Sequence, residues 1–436
     1  MRTASASRAA SRRAIIIATL AGIVVGYGAA RLAARFSEIA STPSGSPVVE
    51  TTPGAANSHE EQERLLALGY SAGSVPAPDA SGVTIYERNS TYDAYNLYTS
   101  GDRPAAFLMD MEGKVVHEWT KSFANVWPGR SPAEQNVNYW RRVHLFENGD
   151  IIAIIEPEGV FRLDMDSNLI WESHCGAHHD LVVEPDGRIF ILAREQQMVD
   201  LQHGEGLRPV LVDFVVELDP NGKELSRVSL LDALQRTEYR ALLYDAPGHW
   251  DIFHTNSLKR LRADGMPPAF QAGRFLVSIR ELGTIAVLDF EAGEIVWALK
   301  GQWHAQHEAT LTDAGNVLLF DNKGHSGRSK VVELNPYTQQ IVWSYGVDAG
   351  QTLDSPLCGL AQRLPNGNTL ITEAVPGRVI EVGPRGSIAW QFVNPNRAGE
   401  NAEFVATVMD FQRLSGSFQP QWLEKGPETS IQGAVR

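Results

Sequence analysis

Histidine recurs at the head of one kind of segment along this chain. His178-His179 leads into DLVVEPDGRIFILA, His254 stands in DIFHTNSL, His307 opens HEATLTDAGNVLLF, and His144 begins HLFENGDIIAII. An imidazole at neutral pH can take or give a proton, attack an electrophile, or ligate a metal. Arginines lie close by in sequence: Arg194 in ILARE, Arg280 in VSIRE, and Arg328 six residues after Asn322 of the F-D-N run. A guanidinium beside imidazoles is a combination that holds and activates an oxyanion. Each histidine alone reads equally well as a satisfied structural residue. Arg194 and Arg280 read equally well as partners of Glu195, Glu281 or a neighbouring strand.

The segments that must position these residues repeat. One unit is a strand, a turn and a second strand, most often ending in Trp. It occurs as Ala106–Trp119, Val160–Trp171, Val215–Val228, Ile285–Trp297, Val331–Trp343 and Val379–Trp390, the third copy lacking Trp. Its strands alternate apolar and polar residues around Asp-, Asn- or Gly-rich turns, as half-buried antiparallel hairpins do. The histidine-led segments form a second hairpin between these copies, and Gly359–Thr372 is another of them. Four short strands per repeat predict an all-β chain, a six-bladed β-propeller of four-stranded antiparallel blades. In that fold the inner strands line a central channel, and their starts share one mouth. Phe404–Leu414 is placed to supply the missing inner strand beside the first repeat and so close the ring. Ser229–Tyr244 reads as a helical insertion in the third repeat. A Trp once per repeat reads as packing between neighbours, not chemistry.

Composition narrows the function. A formal charge of −14 argues against a nucleic-acid partner. The two cysteines, Cys175 and Cys358, form no CxxC or Cys/His finger, so no structural zinc site is expected; whether they pair is not legible. GxSxG, HExxH and GxxxxGK[ST] are all missing. No cofactor is expected.

The start of the chain predicts a membrane anchor. Arg2, Arg8, Arg12 and Arg13 precede the uncharged stretch Ala14–Ala30, and Arg31 and Arg35 follow it. Such a stretch is at the short limit for a bilayer core of about 30 Å, and the arginines place its start in the cytoplasm. The competing reading is a cleaved signal. Both put the body on the periplasmic or extracytoplasmic side, at the inner membrane in the anchored case. The expected organisation is 1–36 as stub and anchor, 37–80 as a linker holding a short helix over 58–68, 81–425 as the propeller, and 426–436 as a tail.

Three segments are specific enough to carry a family resemblance. DIFHTNSL, QHEATLTDAGNVLLFDN and the Arg that follows resemble the matching segments of the bacterial arylsulfate sulfotransferases. That resemblance implies a six-bladed propeller, in agreement with the repeat count, and sulfuryl transfer from an aryl sulfate donor to a phenolic acceptor without a nucleotide donor. It implies His254 and His307 as acid–base and charge-stabilising residues and Arg328 as a clamp on the sulfuryl oxygens. His179, Arg194, Arg280 and Asn322 are weaker candidates for substrate binding. The family's covalent nucleophile is a histidine from a late blade, and this chain has no histidine after His325. The role then falls to His307, His254 or His179, or this branch makes no sulfohistidine.

Two other classes stay open on the residues alone. His144, His179, His254 and His307 could surround a metal with Glu308 nearby. A membrane-tethered propeller could also bind a partner without catalysis. The oligomeric state is not legible.

Overall fold

The apolar alternation of the repeats is realised as antiparallel strands throughout. The structure is a computed structural model that describes residues 73–132, 139–201, 206–262, 268–324 and 327–424. The chain divides into units Met1–Ser58 and His59–Arg436, and every described residue belongs to the second. The predicted anchor, its linker helix, the tail 426–436 and His325 lie outside the described residues. Among the described residues no helix is long and apolar enough to cross a membrane.

Six sheets carry four or five strands each, and a three-stranded sheet stands apart from them. Sheet two runs Arg142–Leu145, Ile151–Ile155, Gly159–Leu163, Leu169–Ser173 from its innermost strand outward. Sheets three, four and five follow the same order, starting at Ala177–Val183, Thr255–Arg260 and His307–Leu311. Sheet six starts at Leu360–Arg363 and ends with Gly82–Tyr86 added outside Ile388–Val393. Sheet one takes its innermost strand, Val408–Arg413, from the far end of the chain and pairs it with Asn96–Ser100. The innermost strands pack side by side in the order two, three, four, five, six, one, and the circle closes from one back to two.

Tryptophans join adjacent sheets. Trp119 donates to Gly149 O at 3.0 Å, Trp343 to Pro384 O at 3.0 Å and Trp390 to Met111 O at 3.0 Å, each in a turn of the next sheet. Trp171 lies against Gly222 so closely that a Cβ there would come within 2.4 Å of the indole, and its φ of +81° also favours glycine. The rings of Trp119 and Trp390 are fully buried, and truncating either would cost about 3–5 kcal/mol. The third sheet, which lacks this Trp, carries the helical insertion instead: a helix over Leu230–Gln235 capped by Ser229 Oγ, then a 3₁₀ turn over Glu238–Asp245.

The innermost strands are not regular. Register shifts fall between His178 and Leu181, Thr255 and Ser257, and His307 and Thr310. His179, His254 and Glu308, at or beside these shifts, adopt φ of 53°, 47° and 51°. Left-handed backbone at non-glycine residues is costly and is kept where the surroundings over-determine it. A bulge here re-aims side chains, so that the rings of consecutive residues, His178 and His179, come together.

Candidate active site

The site is built from those bulged strand heads. The rings of His178 and His179 meet at Nδ1–Nδ1, 2.9 Å apart, which a regular strand would forbid by sending them to opposite faces. His179 in turn stacks edge-on against His254, centroids 4.9 Å apart. His254 Nδ1 donates to Asp251 Oδ2 at 2.7 Å, and its backbone N–H donates to Asp251 Oδ1 at 3.1 Å. Asp251 therefore fixes the ring and leaves Nε2 for other work. The His254 side chain is 28% exposed, whereas those of His178 and His179 are buried.

His307 is held by a different orienter. Its Nδ1 donates to Asn322 Oδ1 at 2.7 Å and lies 2.9 Å from Ala305 O. The amide of Asn322 can face only this way, because its Nδ2 donates to Ser355 O at 2.7 Å. With Nδ1 carrying the hydrogen, the Nε2 lone pair faces outward and stands 3.7 Å from Cys358 Sγ.

Arginines surround the histidines. Arg141 Nη2 donates to Cys358 Sγ at 3.2 Å, and its Nε lies 3.2 Å from Glu156 Oε2. Glu156 also meets His179 at 3.2 Å and Arg194 at 3.8 Å. The Arg280 backbone N–H reaches His254 O at 3.4 Å, and its charge acts on His307. Burial first, then Arg280 and Arg141, pushes the His307 imidazole well below its usual range, against the Asn322 hydrogen bond. Burial and the charges of Arg141 and His254 do the same to His179, and burial, Arg194 and His254 to His178. Burial works to raise the Asp251 carboxyl, but His254, Arg194 and His178 overcome it and hold it below the usual carboxylate range. The result is neutral buried imidazoles inside a positive surround, suited to an anion that loses a base.

Deeper along the same strands lies an ionic layer. Arg142 meets Asp180 at 3.0 Å, Glu308 at 2.6 Å and Asp410 at 3.0 Å, and Lys259 meets Asp180 at 2.9 Å and Glu308 at 2.6 Å. Beyond it a cavity of about 330 Å³ is lined by His144, Thr310, Thr312, Gln362 and Phe411 among others. His144 thus faces this cavity, where burial and Arg162 lower its pKa to about 4.

A family model described as Arylsulfotransferase (ASST) matches residues 142–395, more than half of the chain and all of sheets two to five. The chain belongs to the arylsulfotransferase family. Membership implies an arylsulfotransferase-like enzyme, with aryl sulfates and phenols as the substrate class. No curated protein matches the sequence. Among solved structures, a protein of unknown function from Bacteroides caccae shares 14% identity over 72% of this chain and 97% of its own, at a TM-score of 0.47. The Dos1 propeller shares 9% identity over 73% and 78%, at 0.38. A streptogramin B lyase shares 12% identity over 76% and 87%, at 0.39. These are loose likenesses.

In this member of the family, then, the residues singled out from sequence divide. His179, His254, His307, Asn322, Arg194 and Arg280 meet one another or act on one another at the strand heads. Arg328 is exposed and makes no ion pair or side-chain hydrogen bond among the described residues. The four-histidine metal ring is not assembled: His144 faces the far cavity and Glu308 is held by Arg142 and Lys259. One trio, Glu156, His178 and His179, brings ligand atoms within 4.8 Å of one another. Arg141 and Arg194 already neutralise that carboxylate, which disfavours a further cation there. Cys175 and Cys358 are not joined in a disulfide. Sequence reading missed Arg141, Glu156, Asp251 and Cys358. Only Asp251, three residues before His254 in the quoted segment, carried a local signal.

Proposed function

We propose that this chain moves a sulfuryl group from an aryl sulfate to a phenolic acceptor, without a nucleotide donor, at the mouth of a six-bladed β-propeller spanning about residues 81–425. The closed circle of six innermost strands supports the blade count. The observation that carries the chemistry is a pair of oriented imidazoles, His254 on Asp251 and His307 on Asn322, close enough for the charge of one to act on the other, with a guanidinium-rich surround in a chain of this family.

On this reading the sulfate oxygens lie among guanidinium groups and imidazole N–H groups, which offset the charge spread over them in an in-line transfer. His254 protonates the departing phenolate and later takes the proton of the acceptor. His307 acts as base toward the group that attacks sulfur. Arg194 and Arg280 set the potential, and His179 presses on His254 from the side. Arg328, exposed at the rim, clamps the outer oxygens of a bound sulfate. The arginine-flanked apolar stretch 14–30 tethers the enzyme to the inner membrane, with the propeller on the extracytoplasmic side.

The test uses the purified full-length chain with 4-nitrophenyl sulfate or 4-methylumbelliferyl sulfate, following phenol release with and without a phenol acceptor. Acceptor-dependent release that His307→Ala abolishes and His254→Ala slows is the expected result. No release from folded protein across a broad acceptor panel would reject sulfuryl transfer in favour of a binding role.

A further inference from the structure

The mechanism above leaves one buried reactive group unused. Cys358 precedes the innermost strand of sheet six, and its thiol is 5% exposed. Two side chains reach it from other sheets, and a third orients one of them. His307 Nε2 stands 3.7 Å from Sγ. Asn322 orients His307 from its other nitrogen at 2.7 Å. Arg141 Nη2 donates to Sγ at 3.2 Å. Nucleophile, base and orienter in line form the constellation that activates a thiol, and a guanidinium on the sulfur stabilises the thiolate it becomes.

The surroundings fix the direction of proton flow. Asn322 Nδ2 is committed to Ser355 O, so its Oδ1 must accept from His307 Nδ1–H. The Nε2 lone pair is then aimed at the thiol and not away from it. Met409 O takes another arm of Arg141 at 3.2 Å, and Glu156 takes its Nε, so the guanidinium is locked over the sulfur. Cys175, the other thiol, has none of this: it donates to Ser173 O at 3.5 Å, and burial raises its pKa to about 11.

We propose that Cys358 is the covalent nucleophile of the transfer, an inference that rests on the sulfuryl-transfer reading above. His307 Nε2 takes the proton from Sγ–H. The thiolate attacks the sulfur of the aryl sulfate, an S–S bond forms, and the S–O bond to the aryl group breaks with its electron pair going to the phenolate. The phenolate takes a proton from His254 and leaves. The enzyme now carries S-sulfocysteine. An acceptor phenol gives its proton to His254, its oxygen attacks the sulfonate sulfur, and the S–S bond breaks to return the thiolate, which takes its proton back from His307. No external oxidant or reductant enters, since SO₃ moves as a unit.

The experiment incubates the full-length protein with 4-nitrophenyl sulfate in the absence of acceptor, then maps the adduct by peptide mass spectrometry under non-reducing, near-neutral conditions. The expected result is one SO₃ group on the peptide containing Cys358, removed by dithiothreitol as sulfite and stable without it. Cys358→Ser is expected to lose acceptor-dependent transfer by on the order of a thousandfold, with Cys175→Ser near wild type. Transfer by the wild type with the SO₃ on a histidine, insensitive to thiol, would overturn the nucleophile assignment alone. So would Cys358→Ser retaining transfer within about tenfold. Absence of both transfer and adduct in the wild type would overturn the sulfuryl-transfer reading and this proposal with it. The wild-type adduct decides the matter even if the serine variant fails to fold.

Discussion

Arg142 and Glu308 form a 2.6 Å ion pair between the innermost strands of sheets two and five, with both side chains almost wholly buried. Asp180, Asp410 and Lys259 complete the layer from sheets three, one and four. Five of the six large sheets are thereby cross-linked at the axis. Burial opposes the charge on each residue, but the carboxylates hold the Arg142 guanidinium well above its usual range, and Arg142 and Lys259 hold Glu308 below its own.

Removing Arg142 leaves buried carboxylates with too little positive charge. Arg142→Ala is expected to destabilise the protein by about 3–5 kcal/mol, the penalty of an uncompensated buried charge. Chemical denaturation followed by tryptophan fluorescence measures this. A loss under about 1 kcal/mol would mean that the layer is more hydrated than its burial indicates.

The Asp251–His254 pair makes a distinct kinetic prediction. A proton donor matters most when the leaving phenolate is strongly basic. His254→Ala is expected to slow transfer from phenyl sulfate by about 10²–10⁴-fold, and from 4-nitrophenyl sulfate by much less. Equal losses for both donors would assign His254 to binding and not to proton transfer.

Arg141 and Arg328 differ in what surrounds them. Arg141 is locked between Glu156, Met409 O and Cys358, whereas Arg328 stands exposed. Arg141→Ala is expected to lower kcat/KM by about 10²–10³-fold, as loss of a fixed donor to a reacting anion does. Arg328→Ala is expected to raise KM with a far smaller change in kcat. Steady-state kinetics with aryl sulfate varied separates the two, and a kcat collapse in Arg328→Ala would give the rim guanidinium the transition-state role assigned here to Arg141.

Asp213 supplies a pH signature. Its Oδ2 accepts from Thr255 N–H at 2.7 Å, while Oδ1 has no hydrogen-bond partner and faces His178 Nε2 at 3.7 Å. Burial, aided by Asp251, raises its pKa to about 7 against the Thr255 hydrogen bonds. The unfolded carboxyl titrates near about 4, so between these values the folded chain keeps a proton that the unfolded chain has lost. Stability from this group is present below the lower value and falls as pH rises toward the upper one. The wild type should therefore lose stability relative to Asp213→Asn across that window, whatever the buried histidines contribute to both. Thermal melts of the two proteins from acid to neutral pH check it, and a constant difference would show that Asp213 titrates normally.

The sequence carried the hairpins because each is a local pattern of two strands and a turn, and the closing role of residues 404–414 followed from counting them. His254 and His307 were legible because they stand in distinctive runs at strand heads. Arg141 and Cys358 were not, since their meaning comes only from contact: one immediately precedes sheet two, the other precedes sheet six, and they meet in the fold. The bulges that turn His178 and His179 onto the same side were equally hidden, because a period-two reading sends them apart. Arg328 illustrates the opposite case, a residue conspicuous in sequence whose side chain stands in the open.

Sheet one waits for Val408–Arg413, so a chain leaving the ribosome carries an open seam until this strand has followed the other strands of the six large sheets. The seam is also where Asp410 joins the ionic layer and where Met409 O grips Arg141. The candidate site consequently comes together only after its own strands have all been made, and a message truncated ahead of this strand yields a product with neither a sealed ring nor a locked Arg141.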